Sequence, residues 1–128
     1  MEGDRPMACI LIIDDEQAIT SVLRRILERA GHQVLVAANG KIGMDLYADH
    51  PVNLIITDIL MPEQDGLEVV MQLRGKSSDV KILAMSGGGK YGLMNFLDVA
   101  KKLGADGLIS KPFTHQQILD EVHRLLER

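Results

Sequence analysis

The chain has 128 residues, 46% hydrophobic and 25% charged, which suits one globular domain and not a disordered segment. Its 14 Lys and Arg against 18 Asp and Glu leave a formal charge of −4; without a basic block or a tryptophan, this argues against direct nucleic-acid binding. Cys9 alone can make neither an internal disulfide nor a zinc cluster, and no apolar run approaches the roughly 20 residues of a membrane span, so a cytoplasmic chain is expected.

Behind a tail over residues 1–6, Ala8 to Ile13 reads as a first strand, continuously apolar. A first helix follows, with Ala18, Ile19, Val22, Leu23, Ile26, Leu27 and Ala30 on one face and Gly31 as its stop. Gln33 to Ala38 is the second strand, and a second helix runs from about Lys41 to Asp49, before Pro51. Val52 to Thr57 makes the third strand. The third helix begins near Asp65, a good N-cap, and carries Leu67, Val70, Met71 and Arg74 on one side before Gly75. Val80 to Met85 is the fourth strand, followed by a helix containing Leu93, Phe96, Leu97, Ala100 and Leu103. Gly107 to Ser110 is the fifth strand, and the last helix carries Ile118, Leu119, Val122, Leu125 and Leu126.

Five strands alternating with five helices predict a single α/β domain over residues 7–128, doubly wound around a parallel sheet. Of the two common orders, five strands suit the flavodoxin-like 2-1-3-4-5. Ligands in such sheets bind beyond the carboxyl ends of the strands, at the switch point between strands 1 and 3. The residues expected there are Asp14 and Asp15, Asp58, Ser86 and Lys111. Each Asp alone could be a helix cap, but three converging carboxylates are costly. Two like charges about 4 Å apart repel by about 4 kcal/mol at an effective dielectric near 20. A hard divalent cation relieves this, and an all-oxygen site with room for water and phosphate suits Mg²⁺. Such a site fits phosphoryl transfer to an Asp nucleophile, with Lys and Ser donors on the remaining oxygens.

Four segments, in order and at strand ends, carry a resemblance. They are Leu11-Ile-Ile-Asp-Asp-Glu16, Ile56-Thr-Asp-Ile-Leu-Met-Pro-Glu-Gln-Asp-Gly66, Met85-Ser86 and Gly104-Ala-Asp-Gly-Leu-Ile-Ser-Lys-Pro-Phe113. With them the chain resembles, along its whole length, the receiver domains of bacterial two-component response regulators. The resemblance implies that Asp58 is the phosphoacceptor and that Asp15 ligates Mg²⁺ directly. Asp14 would ligate mostly through water, and the Leu60 carbonyl would be a further ligand. It implies that Lys111 pairs with the phosphoryl group, that Ser86 is drawn to it by a hydrogen bond, and that the Lys111–Pro112 bond is cis. Two departures stand out. Leu108 replaces the aromatic whose ring usually swings inward on activation, and the segment from Ser86 to Lys111 is longer than usual and opens with Gly87, Gly88 and Gly89. The glycines predict that residues 87–91 reorganise with phosphate.

The expected function is therefore a stand-alone receiver that takes phosphate from a histidine kinase or phosphotransfer protein and switches binding to a downstream protein, without being an enzyme. The alternatives are a receiver fragment of a longer regulator and a scaffold that never accepts phosphate. A flavodoxin-like electron carrier fits poorly, since Asp14, Asp15 and Glu16 would repel a flavin phosphate. An aspartyl-phosphate phosphatase would place Asp-x-Asp, not adjacent aspartates, after strand 1. His32, His50, His115 and His123 show no metal-ligand spacing and read as surface histidines. Cys9 reads as core, and Met94 falls outside its helix's apolar stripe.

Overall fold

A computed structural model describes residues 8–59, 66–76, 79–86, 101–102 and 104–127. Its strands are β1 (Cys9–Ile13), β2 (Gln33–Ala37), β3 (Leu54–Asp58), β4 (Lys81–Ser86) and β5 (Gly107–Ser110). They form one parallel sheet in the order β2-β1-β3-β4-β5, as expected. The described helices are α1 (Gln17–Arg29), α2 (Gly40–Asp49), α3 (Gly66–Lys76) and α4 (His115–Leu126). Residues 101 and 102 are also helical, but most of the helix expected between β4 and β5 lies outside the described residues, as does Met94.

Alternation along the strands builds two cores. Leu11, Ile13, Ile55, Ile82 and Ala84 face Val69, Val70 and Leu73 of α3. Ile10, Ile12, Leu54, Ile56, Leu83 and Met85 face Leu23, Ile26 and Leu27 of α1 and Ile118, Val122 and Leu125 of α4. All of β1 and β3 is buried, while the edge strands β2 and β5 are partly open, as their positions require. Cys9 belongs to this interior. No helix among the described residues is long and apolar enough to cross a membrane.

Several boundaries and faces differ from expectation. β3 and β4 start later than Val52 and Val80, and end on Asp58 and Ser86, because the ladder continues through the Asp58–Met85 and Ser86–Ser110 pairs. On α1 the buried stripe is Thr20, Leu23, Ile26 and Leu27; Ala18 and Val22 face outward, a turn of the wheel away from the sheet. On α3 the inward side is Val69, Val70 and Leu73, which leaves Met71 55% exposed. The N-cap expected at Asp65 lies outside the described residues. α4 opens with a capping box, in which Thr114 accepts from the Gln117 N–H and the Gln117 side chain accepts from the Thr114 N–H.

Candidate functional site

At the carboxyl edge of the sheet the chain leaves β1, β3 and β5 on ionisable residues. Asp14 follows β1, Asp58 ends β3, and Lys111 follows β5, where the Lys111 N–H donates to the Ser86 carbonyl at 2.8 Å. The Lys111–Pro112 peptide is cis. One Asp14 oxygen accepts the Glu16 N–H at 2.9 Å. That local turn is the capping role available to a lone Asp, and it brings the Glu16 side chain back over the pocket.

The Lys111 Nζ donates to Asp14 Oδ2 at 2.9 Å, Glu16 Oε1 at 3.0 Å and Asp58 Oδ2 at 3.2 Å. Asp14, Asp58 and Lys111 are buried, whereas Glu16 is exposed. One oxygen from each of Asp14, Glu16 and Asp58 lies within 4.8 Å of the other two. Within that distance the buried Asp14 and Asp58 repel by about 3.5 kcal/mol or more at an effective dielectric near 20. Burial pushes the Asp14 carboxyl up from its ordinary value, against the Glu16 N–H and Lys111, which pull it down. For Lys111 burial acts to lower the value, but hydrogen bonds to Asp14 and Glu16 and the charges of Asp58 and Asp14 outweigh it, so the ammonium is held more firmly than usual.

Ser86 ends β4 at the same edge. It is fully buried, and its Oγ has no hydrogen-bond partner among the described residues. A buried hydroxyl without a partner is costly enough to mark a place where a ligand oxygen is expected.

The structure thus brings together Asp14, Asp58 and Lys111, with Ser86 at the same edge. Asp15 is exposed and lies outside the close carboxylate group, in which Glu16 is the third member. The acidic run after β1 contained Glu16, but only the turn made by the Asp14 side chain shows which of its neighbours folds inward. Leu60 and residues 87–91 lie outside the described residues. Leu108 is half-buried and packs against the core on the α3 side. The reading of all four histidines as surface residues is corrected for His32, which is buried and meets His123; a pair 91 positions apart has no sequence spacing to betray it.

Comparison with known proteins agrees with this geometry. Residues 10–123 match the model of the response regulator receiver domain family. The response regulator MprA of Mycolicibacterium vanbaalenii is 35% identical over 120 residues, covering 93% of this chain and 50% of that protein. The chain spans about half the length of the curated relatives it matches. Among solved structures, the chemotaxis protein CheY4 of Vibrio cholerae is 28% identical with a TM-score of 0.84, covering 94% of this chain and 99% of that one. A CheY-like receiver domain protein of Methanospirillum hungatei is 26% identical with a TM-score of 0.87, covering 95% of each chain. The fold and the charged site define a phosphorelay-type signalling module: this chain belongs to the response regulator receiver domain family.

Proposed function

We propose that this receiver domain accepts a phosphoryl group on Asp58 from a phosphohistidine of a histidine kinase or phosphotransfer protein. A carboxylate oxygen of Asp58 attacks phosphorus and forms an acyl phosphate. The P–N bond breaks, its electron pair stays on the donor imidazole, and that ring keeps its full complement of protons by taking one from solvent. Lys111, already within hydrogen-bond reach of Asp58, is placed to donate to a phosphoryl oxygen, and the Ser86 hydroxyl is a second donor.

Mg²⁺ takes oxygen donors, commonly one or two carboxylates together with water and phosphate, and the residues present fit it. Asp14 and Asp58 would hold the ion, with Asp15 and the Leu60 carbonyl as the further ligands implied by the family resemblance and Glu16 as a nearby carboxylate. Bound there, Mg²⁺ would offset the negative charge shared by the carboxylates and the incoming phosphoryl group. The domain then acts as a switch, with self-phosphorylation and self-dephosphorylation as its only chemistry, in the cytoplasm, and its output is altered affinity for a downstream protein. With Leu108 at the usual aromatic position, that output does not use a ring swinging inward.

The observation that carries this reading is the convergence of buried Asp14, Asp58 and Lys111 at the carboxyl edge. Incubation with Mg²⁺ and a small acyl phosphate donor, followed by intact-mass measurement, tests it. One phosphoryl group on the wild type and none on Asp58→Asn is expected. Equal addition to both, or none to the wild type, rejects Asp58 as the acceptor.

A further inference from the structure

At the amino edge of the sheet, opposite Asp58, two histidines from distant parts of the chain meet. α1 closes in a Schellman turn: Gly31 takes φ 97°, its N–H donates to the Glu28 carbonyl at 3.0 Å, and the His32 N–H donates to the Leu27 carbonyl at 3.1 Å. That pattern fixes the His32 backbone where α1 ends. His123 stands in the last turn of α4, and its carbonyl accepts from the Glu127 N–H. The two Nε2 atoms are 3.3 Å apart and the ring centroids 5.4 Å, with the planes tilted by 55°. The rings therefore meet nitrogen to nitrogen and do not stack.

The 3.3 Å between the two Nε2 atoms is within hydrogen-bond reach, one ring donating and the other accepting according to tautomer. It also matches the span of a chelate. Two imidazole nitrogens each about 2.0–2.1 Å from Zn²⁺, at a tetrahedral angle, stand about 3.3–3.4 Å apart. α1 and α4 both turn their carboxyl ends, the negative ends of their dipoles, toward the pair, and each also carries an arginine, Arg29 and Arg124, in its last turn. His32 is buried and His123 half-buried, so the pair is rigidly backed and still reachable from solvent.

We infer that His32 and His123 form a chelating site for a late first-row divalent cation, Zn²⁺, Ni²⁺ or Cu²⁺, that staples α1 to α4. Imidazole suits these ions, whereas Mg²⁺ takes oxygen ligands, so the site is chemically distinct from the carboxylate pocket. With two protein ligands, the remaining positions fall to water or to a donor on a partner, and the ion exchanges with solution.

The test titrates ZnCl₂ into the full chain by calorimetry in saturating Mg²⁺, which keeps the carboxylate pocket occupied, and follows thermal unfolding alongside. One Zn²⁺ per chain and a raised Tm are expected. His123→Gln, a change at a half-buried helix position whose fold is checked by circular dichroism, lowers affinity at least about tenfold, since outer-shell partners alone are worth about 10–100-fold. His50→Gln binds as the wild type does. A readout independent of stability is the Cu²⁺ electron paramagnetic resonance spectrum of the wild type, which shows coupling to two imidazole nitrogens. No saturable Zn²⁺ binding below about 1 mM, undiminished binding in His123→Gln, or coupling to fewer than two nitrogens overturns the proposal.

Discussion

Two ion clusters stand at opposite edges of the same sheet and are composed differently. At the carboxyl edge one ammonium among the described residues, that of Lys111, faces the carboxylates of Asp14, Glu16 and Asp58. At the amino edge each side-chain nitrogen of Arg74 of α3 has an acceptor. Its Nε donates to the Gly104 carbonyl at 2.8 Å, its Nη1 to the Val80 carbonyl at 2.9 Å, and its Nη2 to the Asp106 carboxylate, which also accepts the Ile82 N–H at 2.9 Å. The planar guanidinium fork suits this role, fastening α3 to the starts of β4 and β5. The Arg74 cluster neutralises itself and needs nothing from outside. Among the described residues, the Lys111 cluster sets three carboxylates against one ammonium.

The largest expected effect separates the two clusters by their response to metal. Lys111→Met removes the cation from buried Asp14 and Asp58 and should cost about 3–5 kcal/mol in chelator, as breaking a buried ion pair does. Urea unfolding with and without Mg²⁺ should show part of that loss restored by the ion. The pH dependence follows from the raised folded-state value of Lys111. Its contribution is fully present below the unfolded value of about 10.4 and is lost as pH rises through the higher folded value, so the wild type has an alkaline unfolding limb that the variant lacks.

Arg74→Ala should cost about 2–3 kcal/mol. It takes the Arg74 donors from two carbonyls and from Asp106, which keeps the Ile82 N–H, but the pair is 21% and 30% exposed, and water can replace some of what is lost. Mg²⁺ should restore none of it. Equal metal rescue of Lys111→Met and Arg74→Ala would erase the distinction between the clusters.

Asp14→Asn should move the other way, stabilising the metal-free protein at neutral pH, because burial costs the Asp14 carboxylate more than the Glu16 N–H and Lys111 return. The asparagine carbonyl can still accept the Glu16 N–H, and one of two repelling buried charges is gone. Because burial raises the folded-state value of Asp14, its ionisation opposes folding as pH rises from the unfolded value of about 3.9 through the folded one. The gap between variant and wild type should therefore close at low pH. It should reverse in Mg²⁺, where the wild type gains stability and the variant gains less. A variant less stable than the wild type in chelator would show that Asp14 contributes to the fold by itself.

The contrast also explains what the sequence made legible. Strand order, the two-faced core and Asp14, Asp58, Ser86 and Lys111 were readable because the strands are short, apolar and end in polar residues at one edge of a parallel sheet. The outward turn of Val22 and Met71 was not, since an apolar side chain on a helix gives no sign of how wide the buried stripe will be. Glu16 required the turn closed by Asp14, and the structural fork at Arg74 required Asp106, 32 positions away. His32 and His123 were hidden for the same reason. Pairs made by tertiary packing leave no periodicity, whereas residues delivered by strand ends do.

The smallest stability effect belongs to Ser86→Ala, and it sharpens the comparison at a neutral group. Removing a buried hydroxyl that has no hydrogen-bond partner among the described residues should change stability by no more than about 0.5 kcal/mol, with a gain as acceptable as a loss. Phosphorylation of Asp58, followed by an intact-mass time course, should slow by about tenfold or more, because a hydrogen bond to a charged phosphoryl oxygen is worth more than one between neutral groups. Ser86→Thr keeps the hydroxyl and should retain most of the rate. Were Ser86→Ala to lose more than about 1 kcal/mol and still phosphorylate at the wild-type rate, the hydroxyl would belong with the self-sufficient packing of the Arg74 edge, and the carboxyl edge would owe its chemistry to its charged residues alone.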